Sequence, residues 1–159
     1  MPRHDFSRKS PLSPINRLIL DNQEYNLSYK VVTEDMKSLG IGGNPNILTY
    51  PYLEWKLLPD SWIVKDANDW GGIWSRKVPS QAFWTVDYMK DKYSTETRFF
   101  LACLHDPFYY NTTGIKSVGV CLFYEIYSRE HWSEVNSSWR QGGSGLFIPD
   151  EKITISRIE

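Results

Sequence analysis

Glu125 is the residue in this chain whose setting most directly raises a chemical question. It follows Val118 to Tyr124, a run without charge whose only polar side-chain group is the hydroxyl of Tyr124. An ionised carboxylate in such a run must be paired, lie at an exposed strand end, or face a cleft. In the first two cases it serves the fold. In the third it is a general base or a ligand-binding carboxylate at the mouth of a pocket. Side chains alternate along an unbroken strand, so Glu125 is expected to share a face with Cys121 and Phe123, with Leu122, Tyr124 and Ile126 on the other.

The other reactive side chains are scattered. His105 and Asp106 are adjacent before Pro107, which reads as a turn, and consecutive residues usually point apart. His131 lies beside Trp132. Three His and two Cys at unrelated positions supply no metal-ligand spacing. Cys103 and Cys121 sit in apolar runs that would not lower a thiol pKa, so both are expected as buried, reduced thiols that label slowly until the protein is denatured. No Gly-x-Ser-x-Gly nucleophile elbow occurs. The loop Gly40–Asn46 is glycine-rich, but no Lys-Ser/Thr follows it, as a phosphate loop would require.

The elements that must position these residues centre on Asp69–Leu104. A glycine turn leads into the aromatic strand Ile73–Trp74. A helix follows over 79–93, where Ala82, Val86, Met89 and Tyr93 form one stripe at helical spacing. Ser80 is the expected N-cap, with Pro79 just outside. Lys90 and Lys92 suit the C-terminal end of the helix dipole. Phe83 and Trp84 widen the apolar face, so the helix is expected to be gripped on more than one side. Thr97–Leu104, polar only at Thr97 and Arg98, reads as a strand covered on both faces.

Around this block the reading is of short strands: 18–20, 29–32, 47–50, 54–58, 61–64, an edge strand at 108–110, a long strand at 115–127, and a last pair at 146–148 and 153–155. Short helices are expected over 34–39, capped by Thr33, and 128–135. Lys65–Asn68 and Ser137–Gly145 read as loops. Mixed strands with one substantial helix indicate an α+β fold with a mixed or antiparallel sheet rather than βαβ repetition.

At 159 residues the chain fits one domain. Residues 1–14 read as a flexible polar tail and 15–159 as the globular unit. Deleting the tail is expected to leave the melting temperature within a few degrees. A near-balanced charge, with net −1, argues against general nucleic-acid binding by counterion release. No run approaches a membrane span, and Met1–Ser13 holds no apolar signal core, so a soluble, cytoplasmic protein is expected. Seven Trp and ten Tyr either pack the core or line a concave site for a planar ligand.

Two resemblances add expectations. Asn44–Pro51, Glu54-Trp55, Trp70–Trp74, Tyr88-Met89 and Thr97–Phe99 resemble segments of a group of small proteins without an established activity, across about residues 29–126. The order of elements also resembles the ADP-ribosyltransferase-like fold. It runs from an aromatic first strand through a glycine-aromatic strand, a helix with an early Ala and a core strand to a late strand ending near Glu. That resemblance implies NAD as ligand, Glu125 on its ribose, and Trp74 or Tyr88 stacked on the nicotinamide. Lys30 stands where that family has His or Arg, and Lys lacks their planar group. Two functions are therefore expected to compete. One is an ADP-ribosyltransferase-like enzyme or nucleotide-ligand-binding domain, which needs Glu125, Trp74 and a cation such as Lys30 in one cleft. The other is a non-catalytic protein–protein interaction module, which needs an exposed aromatic patch and no converging carboxylate.

Overall fold

A computed structural model describes residues 17–20, 23–40, 47–64, 71–142, 146–148 and 153–158, with side chains described for 25–40, 47–64 and 71–137. The frame is a long antiparallel hairpin of β5 (Thr97–Tyr110) and β6 (Gly114–Ile126). Its tight connection is fixed by Asn111, whose Oδ1 accepts the N–H groups of Thr113 and Gly114 at 3.0 and 2.7 Å. β2 (Gln23–Thr33) runs antiparallel along the free edge of β5, from Asn26 opposite Leu104 to Thr33 opposite Thr97. β3 (Trp55–Leu57) and β4 (Ile73–Arg76) pair the free edge of β6. β4 also meets β2 at Tyr29 and Arg76, so the pairings β2–β5–β6–β4 close into a ring. β1 (Arg17–Leu20) extends β2, and β8 (Ile153–Ile158) and β7 (Leu146–Ile148) continue beyond it.

A closed sheet has an inside and an outside, and the apolar residues divide accordingly. Phe100, Ala102 and Leu104 of β5 point inward, with Val32, Ile73, Ile115, Val120 and Leu122. Phe99, Leu101 and Cys103 point outward, with Tyr29, Val31, Cys121 and Phe123, against the helices. This alternation is why the continuous apolar run of β5 is covered on both faces, as its composition predicts. The result is a single α+β domain.

Helix α1 (Pro79–Tyr93) has the bounds expected from its periodicity. Its start differs from expectation. Val78 is the N-cap, without a side-chain bond, and Pro79 is the first helical residue. Proline suits that position because its missing N–H would be an orphan there anyway. The helix ends at Ser94, in the left-handed region at φ 52°, whose N–H reaches the carbonyls of Lys90 and Met89. Ala82, Phe83 and Met89 are buried, but Trp84 is 57% and Tyr93 47% exposed. Among the described residues, the buried side chains of the helix lie on one side, where more than one is expected from the sequence. α2 (Arg129–Gly142) is longer than expected and absorbs residues 137–142, which their Ser and Gly content marks as loop.

Four further expectations are corrected. Residues 34–39 form a turn instead of a helix: Met36 takes φ 65° and Thr33 Oγ1 accepts the Lys37 N–H at 2.9 Å. Asp60–Trp62 is a 3₁₀ turn where a strand was read over 61–64. His105–Pro107 lies within β5 rather than in a turn, because a register shift at Pro107/Tyr109 and Asp106 at φ 55° accommodate the proline. At 47–50 only an isolated bridge, Lys37 to Thr49, replaces the expected strand. The loops at 41–46 and 65–68 and the tail at 1–14 lie outside the described residues.

Gly71 marks a close backbone approach. Its carbonyl accepts the Val64 N–H at 2.8 Å, and a Cβ there would lie 2.7 Å from that nitrogen and 2.5 Å from Val64 Cβ. Gly71→Ala must therefore move backbone. The expected destabilisation is about 1–3 kcal/mol, read as a lower midpoint in urea unfolding. An unchanged midpoint would show that the 64–71 contact is loose.

Candidate functional site

The position of Glu125 depends on a β-bulge. Ala102 pairs with Leu122 but Leu101 pairs with Tyr124, which leaves Phe123 as an extra residue on β6. One extra residue shifts the alternation by one. Phe123 and Tyr124 both turn toward the outer core, and Glu125 moves to the inner face, opposite Phe100. The expected face, shared with Cys121 and Phe123, is thus the wrong one. On its actual face Glu125 meets Arg98, two residues before Phe100 on the same side of β5.

Arg98 grips Glu125 with two hydrogen bonds: Nε donates to Oε2 at 2.9 Å and Nη2 to Oε1 at 2.7 Å. The Glu125 side chain is 16% exposed and that of Arg98 38%. The bond to Glu125, outweighing partial desolvation, raises the pKa of Arg98 above its ordinary value, so the cation is permanent. The guanidinium lies over the Phe100 ring, 5.2 Å from its centre. Tyr52 packs against the same ring at 5.7 Å and donates its hydroxyl to the carbonyl of Phe123, the bulge residue.

α2 supplies the opposite wall. Ser128 caps it, with Oγ accepting the His131 N–H at 3.0 Å. This turn places His131 against Tyr127, with ring centres 5.1 Å apart, and near Tyr124 at 6.0 Å. His131 Nδ1 accepts the Tyr127 N–H at 3.0 Å, so the proton of the neutral ring belongs on Nε2. Tyr52, Arg98, Phe100, Tyr124, Glu125, Tyr127 and His131 together line a cavity of about 230 Å³. Small-molecule sites commonly run to roughly 300–1,000 Å³. This cavity therefore suits one ring or one side chain, and a whole dinucleotide would have to lie partly outside it.

The four residues singled out by the sequence do not converge on one cleft. Glu125 lines the cleft. Lys30 is buried on β2, donating its ammonium to the Trp74 carbonyl and lying 4.9 Å from the centre of the Tyr50 ring. Lys30 and Glu125 flank Phe100 on a single rung across β2, β5 and β6, and that ring separates them. Trp74 fails to join them because Ile73 and the buried Ser75 take the inward positions of β4. Its ring packs instead on Tyr109 and beside the ammonium of buried Lys116. Tyr88 lies on the outer side of α1, stacked on Trp84 at 4.9 Å and edge-on to Tyr93 at 5.9 Å. Lys92 lies over both tyrosine rings, and its hydrogen bond lowers the Tyr88 pKa from its ordinary value.

Arg98, Tyr52 and His131 are the site residues that sequence reasoning underweighted. Arg98 had a signal: it is the one Lys or Arg in β5, at the end that pairs with the end of β6 holding Glu125. His105 is exposed beside Trp55 and takes no part in the cleft. Among the described residues no group of three or more His, Cys, Asp or Glu could hold a metal ion, and no helix is long and apolar enough to cross a membrane. No family model, curated protein or solved structure matches the chain.

Proposed function

We propose that this chain is a binding domain that holds one planar, ring-sized group in the cleft at Glu125. The observation that carries this reading is the convergence of the Arg98–Glu125 pair with five rings around one small cavity. Rings offer stacking surface at little entropic cost. The fork formed by Arg98 and Glu125 keeps unused N–H donors on the guanidinium and unused lone pairs on the carboxylate. A nucleobase or a nicotinamide ring meets both requirements. A nucleotide or NAD would enter by its ring, with the remainder outside. The more specific form of this reading is an ADP-ribosyltransferase-like step in which Glu125 also accepts a ribose hydroxyl. Each carboxylate oxygen already accepts from Arg98 and has room for one more donor.

Thermal-shift and calorimetric titration with nicotinamide, adenine, NAD and a nucleotide panel tests this. A ligand at ~100 times its dissociation constant should add about 2.7 kcal/mol of stability. Glu125→Gln keeps the shape and removes the charge, and should abolish that gain. Its own effect on stability should lie between that of an exposed pair, about 0–1 kcal/mol, and that of a buried pair losing one partner, about 3–5 kcal/mol. Arg98 is more than a third exposed, so solvent screening places the expected loss near 1–2 kcal/mol. A panel that shifts the wild type and Glu125→Gln equally would remove the cleft from the reading.

A second reading, a protein–protein interaction module, is favoured by the ridge on α1. Trp84, Tyr88 and Tyr93 form a preorganised, partly exposed aromatic surface. Trp84→Ala should leave the melting temperature and the cleft ligand unchanged while removing any partner that uses this face.

A further inference from the structure

Cys103 and Cys121 are directly opposed on β5 and β6, and neither is in a disulfide. The register around them is unbroken from Ala102/Leu122 to His105/Gly119, one rung clear of the bulge. Both side chains lie on the outer, helix-covered face, in the same core cluster as Phe99, Leu101 and Phe123. Directly opposed residues of an antiparallel pair have Cα atoms about 4.5 or 5.5 Å apart, according to whether the rung is hydrogen-bonded. Disulfides span roughly 4.4–6.8 Å between Cα atoms. Both kinds of rung fall within that Cα range, and the non-hydrogen-bonded one also brings the Cβ atoms to about 4.5 Å, the upper edge of what a disulfide spans.

We infer that Cys103 and Cys121 are a disulfide site, closed across the β5–β6 hairpin by a low-molecular-weight disulfide such as oxidised glutathione while the chain folds. One cysteine thiolate attacks the glutathione disulfide and releases one glutathione thiolate. The second cysteine thiolate then attacks the protein sulfur of the mixed disulfide, forming the Cys103–Cys121 bond and releasing the second glutathione. The two cysteines are oxidised, one glutathione disulfide is reduced to two thiols, and the two cysteine protons pass to the released glutathiones. The timing follows from burial. Cys103 is 0% and Cys121 4% exposed, so a tripeptide disulfide reaches neither in the folded state. The bridge records the redox conditions under which the chain folded and is insensitive to later exposure. It closes a loop over the seventeen residues Leu104–Val120, so it restricts the unfolded chain while joining strands already paired in the native one.

The test is refolding from denaturant in glutathione buffers of graded redox ratio, beside native protein held in the same buffers. Intact mass, non-reducing gels and melting temperature are the readouts. The site predicts that oxidative refolding yields a monomer lighter by two hydrogens, without bound glutathione, melting several degrees higher than the reduced form. Native protein in the same buffers should remain reduced. A refolded chain that keeps both thiols, carries glutathione, or dimerises through cysteine overturns the site. So does a bridged chain that melts below the reduced one, since the rung would then not fit the bond. Native protein that oxidises as fast as unfolded chain overturns the assignment to folding.

Discussion

Phe100→Ala is expected to destabilise the domain by about 3–5 kcal/mol, the range for deleting a buried phenyl ring. It should also weaken binding of any ring in the cleft. Phe100 is 1% exposed, and its ring serves two regions. On one side it belongs to the inner core of the closed sheet, beside Ala102, Leu122 and Ile73. Alanine leaves a cavity there that a closed ring of strands cannot collapse to fill, which places the loss toward the upper end of the range. On the other side it is the platform under the Arg98 guanidinium and the neighbour of Tyr52. Without it Arg98 loses a cation–π surface of about 0.5–2 kcal/mol and the packing that holds its fork on Glu125. Urea unfolding should show a lower midpoint at an unchanged slope. Phe100→Leu separates the two roles, since it keeps most of the core volume but removes the aromatic face. It should retain most of the stability yet bind ring ligands as weakly as the alanine variant. If Phe100→Leu binds normally, the ring is core alone and Arg98 is held by Glu125 without it.

The residues that sequence could place were those with local signals. The extent of α1 was legible, though not its N-cap, because proline, a helical stripe and terminal lysines all lie within it. The span of β5 past Leu104 was not, because His105-Asp106-Pro107 has turn composition and only pairing with β6 holds it extended. The same limit governs the site. Glu125 stood out as a lone charge after an apolar run, and it does line a cleft. Its face could not be read, since the bulge at Phe123 is a property of the register between two strands and leaves no mark in either one alone. Its partner Arg98 is 27 positions away, brought near only by the hairpin. Trp74, Tyr88 and Lys30 were grouped by residue type and element order. Strand phase and helix face then separate them: Trp74 alternates with inward Ser75, and Tyr88 falls opposite the stripe that holds Ala82 and Met89.

Alkaline pH is expected to destabilise the protein through Cys103. Burial, chiefly, and the neighbouring Cys121 raise the pKa of the Cys103 thiol well above its ordinary value. The native state therefore binds this proton more tightly than the unfolded chain does. Stability from such a group is full below the unfolded pKa, about 8.5 for a thiol, and is lost as pH rises past it toward the native pKa. In that window the unfolded chain releases the proton and the native one keeps it, so each pH unit should remove roughly 1–1.5 kcal/mol. Tyrosines and lysines also titrate at high pH, so the informative quantity is the difference in slope between wild type and Cys103→Ala, both kept reduced. Cys103→Ala should be less stable at neutral pH, because it empties part of a fully buried site. The two stabilities should then converge as pH rises above about 8.5, because only the wild type has this thiol to lose. Parallel curves up to pH ~10 would mean that Cys103 ionises as readily in the folded protein as in the unfolded one. That outcome would contradict the packing of β5 against the helices, which places this side chain out of reach of water.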